Sequence, residues 1–448
     1  MCLIVGRLGL PRGVRDVMMR AETVTGALMK FRVLLARWCA AGLLAATGLA
    51  HAAPPIRFAL IEGMSGPFGN AGAMVERNLR FAIDRVNARG GVKLRDGAHP
   101  LELTVFDSKG AVEESLIQLK AAGDVGIPFI LQGNSSAVAS ALIDAINKRN
   151  AREPGQRMLF FNYSAVDTAL TNEQCSFWHF AFDANAAMRM QALTEAIRED
   201  GSIQKVYLLN QDYSFGRQVA GLARQMIGAK RPDVHIVGEQ FSPVGRVKDF
   251  TPYLARIRAS GADTVVTGSW GNDLTLLVKA AREQGMELKF YTFYGNALGA
   301  PAALGDAGVG RVYAVAEWHP NVGGEASDAF YKAFRARYPE ARDDYPLLRM
   351  SVMIDMIAAA LEQAGTTDVT TVARALENRR VREAPAEAWM RANDHQMIEP
   401  LYVSVMRRAG EPGVKFDNEG SGYGFRTVME LPANKVALPS TCRMARQR

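Results

Sequence analysis

The clearest hydrophobic pattern in the chain runs over residues 56–91 and predicts a strand, a loop and a helix. The apolar run Ile56–Ile61 has the length of a buried strand. Four glycines follow at three-residue spacing: Gly63, Gly66, Gly69 and Gly72. They predict a loop whose backbone approaches another group closely, before an amphipathic helix that ends at Gly90-Gly91. A strand that leads into a helix N-terminus presents free backbone amides, which suit a small anionic or polar ligand.

The same alternation of apolar strands and amphipathic helices continues along the chain. Further strands of a first sheet are predicted at Pro100–Asp107, Ile127–Leu131 and Met158–Phe161. After Phe177–Phe182 the alternation starts again, with strands predicted at Lys205–Asn210, Val234–Phe241, Asp263–Gly268, Leu288–Phe293, Leu401–Met406 and Tyr423–Met429. The predicted fold class is therefore α/β, with two similar lobes that each contain a mainly parallel sheet with helices on both faces.

Polar loops follow several of the predicted strands. In the first half they are Gly133–Ser136 and Asn162–Asp167, and in the second half Asp212–Gly216, Ser269–Asp273 and Tyr294–Asn296. The carboxyl ends of parallel strands line the ligand crevice of an open sheet. We therefore expect these loops to form the two walls of one cleft.

The N-terminal residues 1–52 are typical of a targeting segment. A start at Met29 gives a basic head, an apolar stretch from Trp38 to Leu49 and small residues before a cleavage point after Ala52. A membrane anchor is the alternative, but the stretch is shorter than the roughly 20 residues that span a bilayer. A lipoprotein is not expected, because Cys39 precedes the apolar stretch. The sequence therefore predicts cleavage and a periplasmic location.

Removing residues 1–52 changes both the charge and the cysteine count. Seven basic residues and only two acidic ones lie there, so the formal net charge falls from +7 to +2 and nucleic-acid binding is not expected. Cys175 and Cys442 remain, and a secreted context favours a disulfide between them over two free thiols. The chain has no CxxC spacing and only scattered histidines, so we expect neither a metal site nor a cofactor.

The motifs, taken in order, resemble the leucine/isoleucine/valine-binding family, the type I periplasmic solute-binding proteins of ABC transporters. The main motifs are Gly63–Pro67 with Gly72, the run Ala82–Val92, and Phe106-Asp107. Further matches are Gly133 with Ser135-Ser136, Leu170-Thr171, Phe215-Gly216, Asp249-Phe250, and Ala281-Arg282 with Gly285. The resemblance covers nearly all of the chain after residue 52.

The resemblance implies two lobes that close on a ligand around a hinge of three crossovers, near Phe182, near Trp318 and near residues 393–398. Lobe 1 would comprise residues 53–182 and 319–395, and lobe 2 residues 183–318 and 396–430, with a C-terminal tail at 431–448. It also implies a monomer that delivers a small carboxylate ligand to an ABC transporter membrane permease, without being an enzyme.

The resemblance also implies a set of ligand-binding residues. In lobe 1 they are Phe68, Ala71, Ser135, Ser136, Ser164, Ala165 and Val166, whose hydroxyls and amides would hold the ligand carboxylate. In lobe 2 they are Phe215 (or Tyr213), Trp270 with Gly271, and Asn296. Amino-acid binders of this family keep an acidic residue near Asn296 for the ligand's ammonium group, and Val166 replaces a common hydroxyl donor. Asp212 or Asp273 could substitute for the acid, and the aromatic residues leave room for a bulky apolar or aromatic acid.

Each of these residues also has a purely structural interpretation. The two serines of the Gly133 loop could cap their helix. Phe215, Trp270 and Tyr163 could be core aromatics. Asn296 could be present because asparagine tolerates unusual backbone angles, and Asp107 could brace its own loop.

Two other functions compete with ligand delivery to a permease. A periplasmic sensor that passes its ligand-bound form to a receptor would have the same sequence features. A nucleotide-dependent enzyme is less well supported, because the glycines do not form GxGxxG and Asp107 lies 35 residues past Gly72, where roughly 20 is expected. A hydrolase lacks support because no GxSxG occurs.

Overall fold

The computed structural model describes residues 53–381 and 387–446. The predicted start at Met29 and the cleavage after Ala52 lie outside these residues. The first sheet has five parallel strands in the order β4-β1-β5-β6-β7, and a small hairpin, β2–β3, precedes β4. Their bounds are β1 (Ile56–Glu62), β2 (Val92–Leu94), β3 (Gly97–His99), β4 (Leu101–Asp107), β5 (Phe129–Gln132), β6 (Leu159–Asn162) and β7 (His179–Ala181).

The second sheet has seven strands in the order β17-β16-β12-β11-β10-β8-β9, in which β16 pairs antiparallel with both β12 and β17. Its strands are β8 (Lys205–Gln211), β9 (His235–Ser242), β10 (Thr264–Thr267), β11 (Lys289–Thr292), β12 (Val312–Ala316), β16 (Leu401–Arg408) and β17 (Tyr423–Leu431). A separate three-stranded sheet contains β13 (Arg380–Val381), β14 (Ala388–Met390) and β15 (Met397–Ile398).

Helices connect the strands. They are α1 (Gly69–Ala88), α2 (Val112–Asp124), α3 (Ser136–Arg152), α4 (Ala186–Glu199), α5 (Ser214–Lys230), α6 (Thr251–Ser260), α7 (Asn272–Glu283), α8 (Ala300–Leu304), α9 (Glu325–Arg337), α10 (Leu348–Ala364), α11 (Val369–Leu376) and α12 (Ala433–Val436). The predicted α/β class, with two mainly parallel sheets, is confirmed.

The glycine loop after β1 is shorter than predicted. Gly69 and Gly72 lie in the first turn of α1, so only Gly63 and Gly66 belong to the loop. The reason is close packing, because a Cβ at Gly72 would lie 2.3 Å from the carbonyl oxygen of Gly63. A similar approach occurs in α5, where a Cβ at Gly216 would lie 1.9 Å from the carbonyl oxygen of Gln211. Glycine at these positions lets each helix begin directly against the loop that precedes it.

Helices α9, α10 and α11 pack on the first sheet, although in the chain they lie between β12 and β16 of the second sheet. One buried hydrophobic cluster joins β1, β5 and β6 with α1, α9, α10 and α11. Asn78 of α1 fixes the start of α10, because its side chain accepts a hydrogen bond from the amide of Leu347 (2.6 Å) and donates to the carbonyl of Tyr345 (3.0 Å). The strands of the first sheet lie within residues 56–181 and those of the second within 205–316 and 401–431. The lobe boundaries given above stay predictions.

A disulfide between Cys175 and Cys442 joins the C-terminal tail to the segment before β7, as the sequence predicted. None of the described helices combines the length and apolar character needed to cross a membrane. Within residues 53–381 and 387–446, no group of three or more His, Cys, Asp or Glu side chains is arranged to hold a metal ion.

Candidate functional site

The loop after β1 is held in place by two carboxylates. Asp107, at the end of β4, accepts hydrogen bonds from the amides of Met64 and Lys109, both at 2.9 Å. The Ser65 hydroxyl and these amides lower the pKa of Asp107. Asp107 therefore braces its own loop through Lys109, as its structural interpretation predicted, and it also holds the loop after β1 through Met64.

Glu62, at the end of β1, links the ends of three strands from beneath. It is buried, and its Oε1 accepts from the amide of Gly63 (2.8 Å) while its Oε2 accepts from the amide of Asn134 and from the Tyr163 hydroxyl. Burial raises the pKa of Glu62. Tyr163 itself is fully buried against Gly133, where a Cβ would lie 2.4 Å from its ring. Tyr163 thus has a packing role, and Glu62 was missed because one acidic residue at the end of an apolar strand carries no local signal.

Phe68 and Ala71 lie on either side of the start of α1. The Phe68 side chain is 39% exposed, and one face of its ring rests on Gly110, where a Cβ would lie 2.5 Å from the ring. Ala71 lies half-buried in the first turn of α1. Phe68 therefore presents apolar surface from the loop to the solvent.

Three serines lie at the carboxyl edge of the first sheet, and each hydroxyl oxygen accepts a long hydrogen bond. Ser135 caps α3 through the amide of Val138 (3.4 Å) and has a left-handed φ of 101°. Ser136 accepts from the amide of Asp167 (3.3 Å), and Ser164 accepts from Nη2 of Arg349 (3.4 Å). Ser135 is exposed and the other two are half-buried. Capping and ligand contact are compatible for Ser135, because the cap uses the oxygen and leaves the hydrogen.

The backbone of residues 164–166 is largely occupied within the protein. Asn162 accepts hydrogen bonds from the amides of Ser164 (3.1 Å) and Ala165 (2.7 Å). Val166 is buried in the hydrophobic cluster of the second sheet, and its carbonyl accepts from the amide of Ala186 (2.8 Å). The Ser164 hydroxyl is therefore a more accessible hydrogen-bond donor for a ligand than the backbone amides of this loop.

Aromatic residues line the facing edge of the second sheet. Trp270, after β10, is 39% exposed, and its indole nitrogen donates to the Tyr213 hydroxyl at 3.0 Å. Phe215 is only 4% exposed and packs edge-on against Phe293 with their ring centres 5.7 Å apart. Phe215 therefore supports the wall from behind, while Trp270 and Tyr213 form its accessible part.

Asn296 follows β11 and is half-buried. Its carbonyl accepts a hydrogen bond from the Tyr345 hydroxyl at 2.8 Å. Its φ is not among the left-handed values of the described residues, so unusual backbone geometry does not account for the asparagine. The side-chain amide makes no hydrogen bond with any other described residue and is available to a ligand.

The two acidic residues that could replace an acid at position 296 are already engaged. Asp212 is exposed and pairs with Arg217 at 2.6 Å. Oδ2 of buried Asp273 accepts from the Gln211 side chain and the Gly245 amide, both at 2.8 Å, while its Oδ1 is buried and has no hydrogen-bond partner among the described residues.

Gln218 and Tyr345 each connect an element that packs on one sheet with a loop of the other. Gln218 of α5 donates to the Asp167 carboxylate (3.0 Å) and the Thr168 hydroxyl (2.8 Å). The second contact is the bond from Tyr345 to the carbonyl of Asn296 described above.

A buried group of charges lies where the chain passes between the sheets. We call Asp183, Arg189, Glu317, Arg349 and Glu399 the crossover cluster. Asp183 lies between β7 and α4, Glu317 follows β12, and Glu399 lies between β15 and β16. Arg189 pairs with Asp183 at 2.6 Å and lies 4.0 Å from Glu317. Arg349 pairs with Glu317 at 2.5 Å and lies 3.4 Å from Asp183.

The crossover cluster balances two arginines against two carboxylates, with Glu399 as a third acid. Burial raises the pKa of Glu399 well above its usual range, and the nearby Glu317 and Asp183 raise it further, which favours the protonated form. Its Oε1 is buried and has no hydrogen-bond partner among the described residues. Sequence reasoning missed the cluster because its members are far apart in the chain and each resembles an ordinary surface charge.

Comparison with known proteins identifies the class. A family model described as periplasmic binding protein matches residues 55–411. The chain therefore belongs to the periplasmic binding protein family, whose members act outside the cytoplasm.

Within the family the similarity is to leucine/isoleucine/valine-binding proteins, as predicted. The Leu/Ile/Val-binding protein homolog 4 of Brucella melitensis biotype 1 is 32% identical over 93% of this chain and all of the relative. A closed structure of the leucine-, isoleucine-, valine-, threonine- and alanine-binding protein of Brucella ovis is 29% identical, with a TM-score of 0.80 over 88% of this chain and all of that one. A solute-binding protein from Rhodopseudomonas palustris BisB5, in complex with 3,4-dihydroxybenzoic acid, shares the fold at 15% identity, with a TM-score of 0.69 over 85% of this chain and 98% of that one.

Proposed function

We propose that the protein is the extracytoplasmic solute-binding component of an ABC importer and captures a small ligand that bears a carboxylate. The ligand is a branched-chain or other hydrophobic amino acid, or a related aliphatic or aromatic acid. Closure of the two lobes around the ligand creates the form that a membrane permease recognises.

The observation that carries this proposal is the hydrogen-bonding state of Ser135, Ser136 and Ser164. Each hydroxyl oxygen accepts from a protein donor, and none of the three hydroxyls donates a hydrogen bond to a described residue, so each hydroxyl hydrogen remains to be donated. The first amides of α3 have no acceptor within the helix, and its first turn contains no acidic residue. The serine hydroxyls and the helix amides are all hydrogen-bond donors, and they favour a ligand group that only accepts hydrogen bonds. An ionised carboxylate is such a group.

Apolar surface on both sides of the site suits an apolar ligand body, with Phe68 after a strand of the first sheet and Trp270 after a strand of the second. Trp270 and Phe68 each leave 39% of their surface exposed at the loops that face the site. The relatives support this pairing of a carboxylate with an apolar body, because the Brucella ovis protein is named for apolar amino acids and threonine and the Rhodopseudomonas protein holds a benzoic acid derivative.

The proposal is tested with three compounds that share one carbon skeleton. These are L-leucine, 4-methylpentanoate, which lacks the ammonium group, and 3-methylbutylamine, which lacks the carboxylate. Residues 53–448 are unfolded and refolded with the disulfide intact to remove any bound ligand, and the melting temperature is then measured. At 100 times Kd a ligand stabilises by about 2.7 kcal/mol, which is about 3 °C for a chain of this length. The proposal requires a rise with at least one carboxylate and none with the amine; a rise with the amine alone would refute it.

Transport is tested separately from binding. A strain that lacks the gene should lose uptake of the radiolabelled compound that gives the largest thermal shift, and the gene supplied in trans should restore it. Unchanged uptake together with a lost transcriptional or chemotactic response would indicate a sensor instead.

A further inference from the structure

Arg349 contacts the candidate carboxylate site from a helix that the resemblance does not assign to it. It lies in the first turn of α10 and is 8% exposed. Its Nε donates to the carbonyl of Tyr163 at 2.8 Å, its Nη2 donates to the Ser164 hydroxyl at 3.4 Å, and its Nη1 donates to Glu317 at 2.5 Å. One guanidinium group thus joins the loop after β6 to the segment after β12.

The chemistry of arginine determines how Ser164 is oriented. A guanidinium group has only donors, so the Ser164 oxygen must accept from it and the Ser164 hydrogen turns away from Arg349. The planar fork reaches three acceptors at once, which a lysine ammonium on its flexible stem cannot do with the same geometry.

The orientation of Arg349 depends in turn on the crossover cluster. Glu317 and Asp183 hold its guanidinium from two different segments between the sheets, and Arg189 on α4 holds the same two carboxylates from the other side. Arg189 makes no contact with Ser164; its other hydrogen bonds go to the carbonyls of Ala184 and Val315. The two arginines therefore share the cluster, and only Arg349 reaches the serine.

We propose that Arg349 is a positioning residue that orients the Ser164 hydroxyl toward a ligand carboxylate and connects it to the carboxylates of the crossover cluster. This inference rests on the proposed function and goes beyond it. It makes the strength of the hydrogen bond between Ser164 and the ligand carboxylate depend on the segments that join the two sheets.

A double-mutant cycle tests the proposal, with L-leucine and 4-methylpentanoate as probes in calorimetric titrations. Ser164→Ala should weaken binding about tenfold in the unsubstituted protein, the size expected for a hydrogen bond to a charged group. In an Arg349→Lys background the same change should cost less than twofold. In the matched background Arg189→Lys, which perturbs the same cluster without touching the serine, the tenfold effect should persist. A tenfold effect of Ser164→Ala in all three backgrounds would overturn the proposal.

Two further measurements cover the ways in which the cycle could fail. If Arg349→Lys does not fold, Glu317→Gln keeps the arginine and removes its charged anchor, and it should reduce the Ser164→Ala effect in the same direction. Hydrogen exchange of ligand-free protein should show faster exchange over residues 160–168 in Arg349→Lys than in Arg189→Lys, and equal exchange would count against positioning. Absence of binding of both probes to the unsubstituted protein would exclude L-leucine and its deamino analogue as ligands, while the exchange comparison would still decide whether Arg349 orders the Ser164 loop.

Discussion

Removal of the disulfide is the perturbation whose magnitude follows most directly from the structure. Cys175 and Cys442 are 267 residues apart in the sequence. The loop-closure relation for a cross-link of that length gives about 5.6 kcal/mol at 25 °C as the stabilisation from a restricted unfolded chain. Measured values for single disulfides are typically about 2–4 kcal/mol.

The structure indicates which of the two figures applies. The tail near Cys442 has its own contacts, with the Ser440 hydroxyl donating to the carbonyl of Thr171 (3.3 Å) and the Thr441 amide donating to the Asn172 side chain (2.8 Å). Without the disulfide the tail keeps these contacts, the packing of Met444 on the first hydrophobic cluster and the ion pair of Arg446 with Glu377. Where these contacts open, the tail frays while the rest stays folded, and the folded state regains chain entropy. We therefore expect a loss of about 2–4 kcal/mol rather than the full loop-closure value.

The assay compares the double variant Cys175→Ser/Cys442→Ser with the unsubstituted protein by calorimetry and by hydrogen exchange. For a chain of about 400 residues the expected loss corresponds to a fall in melting temperature of about 2–5 °C. Exchange should rise chiefly in peptides covering residues 437–446. Dithiothreitol should lower the melting temperature of the unsubstituted protein and leave the double variant unchanged. A melting temperature within 1 °C of the unsubstituted protein would refute the reasoning.

Three further predictions concern pH, backbone packing and lobe contacts. Burial lowers the pKa of His319 to about 3, so the unfolded state binds the proton more readily than the folded state. The contribution of His319 to the free energy of unfolding is therefore complete above about pH 6.5. It is lost as the pH falls toward 3, by at most about 1.4 kcal/mol per pH unit. Urea unfolding at pH 7 and pH 4.5 should show a smaller pH effect in His319→Gln, and an identical effect would contradict this. Gly216→Ala should destabilise the protein by about 2 kcal/mol or more in thermal melts, because the new Cβ has no space. The control is Gly221→Ala in the same helix, where a Cβ would have no atom within 4 Å. This change should be neutral or stabilising by up to about 1 kcal/mol. Gln218→Ala removes three hydrogen bonds between the sheets and should weaken L-leucine binding about fivefold or more at an unchanged ligand-free melting temperature. A fall in that temperature with unchanged affinity would assign the residue to stability alone.

The sequence predicted the strands and helices well because their signals are local. The prediction for β1 was Ile56–Ile61, and the strand continues for one more residue, to Glu62. The prediction for β4 was Pro100–Asp107, and the strand begins one residue later, at Leu101. The hairpin β2–β3 and the small sheet β13–β15 were not predicted, because strands of two or three residues are too short to show a period. The extent of the glycine loop was wrong, since a glycine that a helix needs for close approach looks the same in sequence as one in a loop.

The candidate site was less predictable, because its supporting contacts join distant parts of the chain. Glu62 meets Tyr163 across 101 residues, and Arg349 meets Ser164 across 185. The apolar residues on both sides of Arg349 indicate burial, but nothing in the sequence identifies Ser164 as its partner. Asp107, by contrast, could be interpreted correctly because one of its partners, Lys109, is two residues away.

The charges around the site also bear on the ligand's other end. Asp212 and Asp273 are engaged by protein donors, and Asp183 and Glu317 are matched by two arginines. Oδ1 of Asp273 has no hydrogen-bond partner among the described residues but is buried, so the half-buried side chain of Asn296 is the group that we expect to meet an ammonium. A neutral amide oxygen attracts an ammonium far less than a carboxylate would. We therefore expect L-leucine and 4-methylpentanoate to bind with affinities within about tenfold of each other, as titrations of both will measure. Binding of L-leucine more than a hundredfold tighter would show that a carboxylate does reach the ammonium group, and Asn296→Asp should then give no further gain.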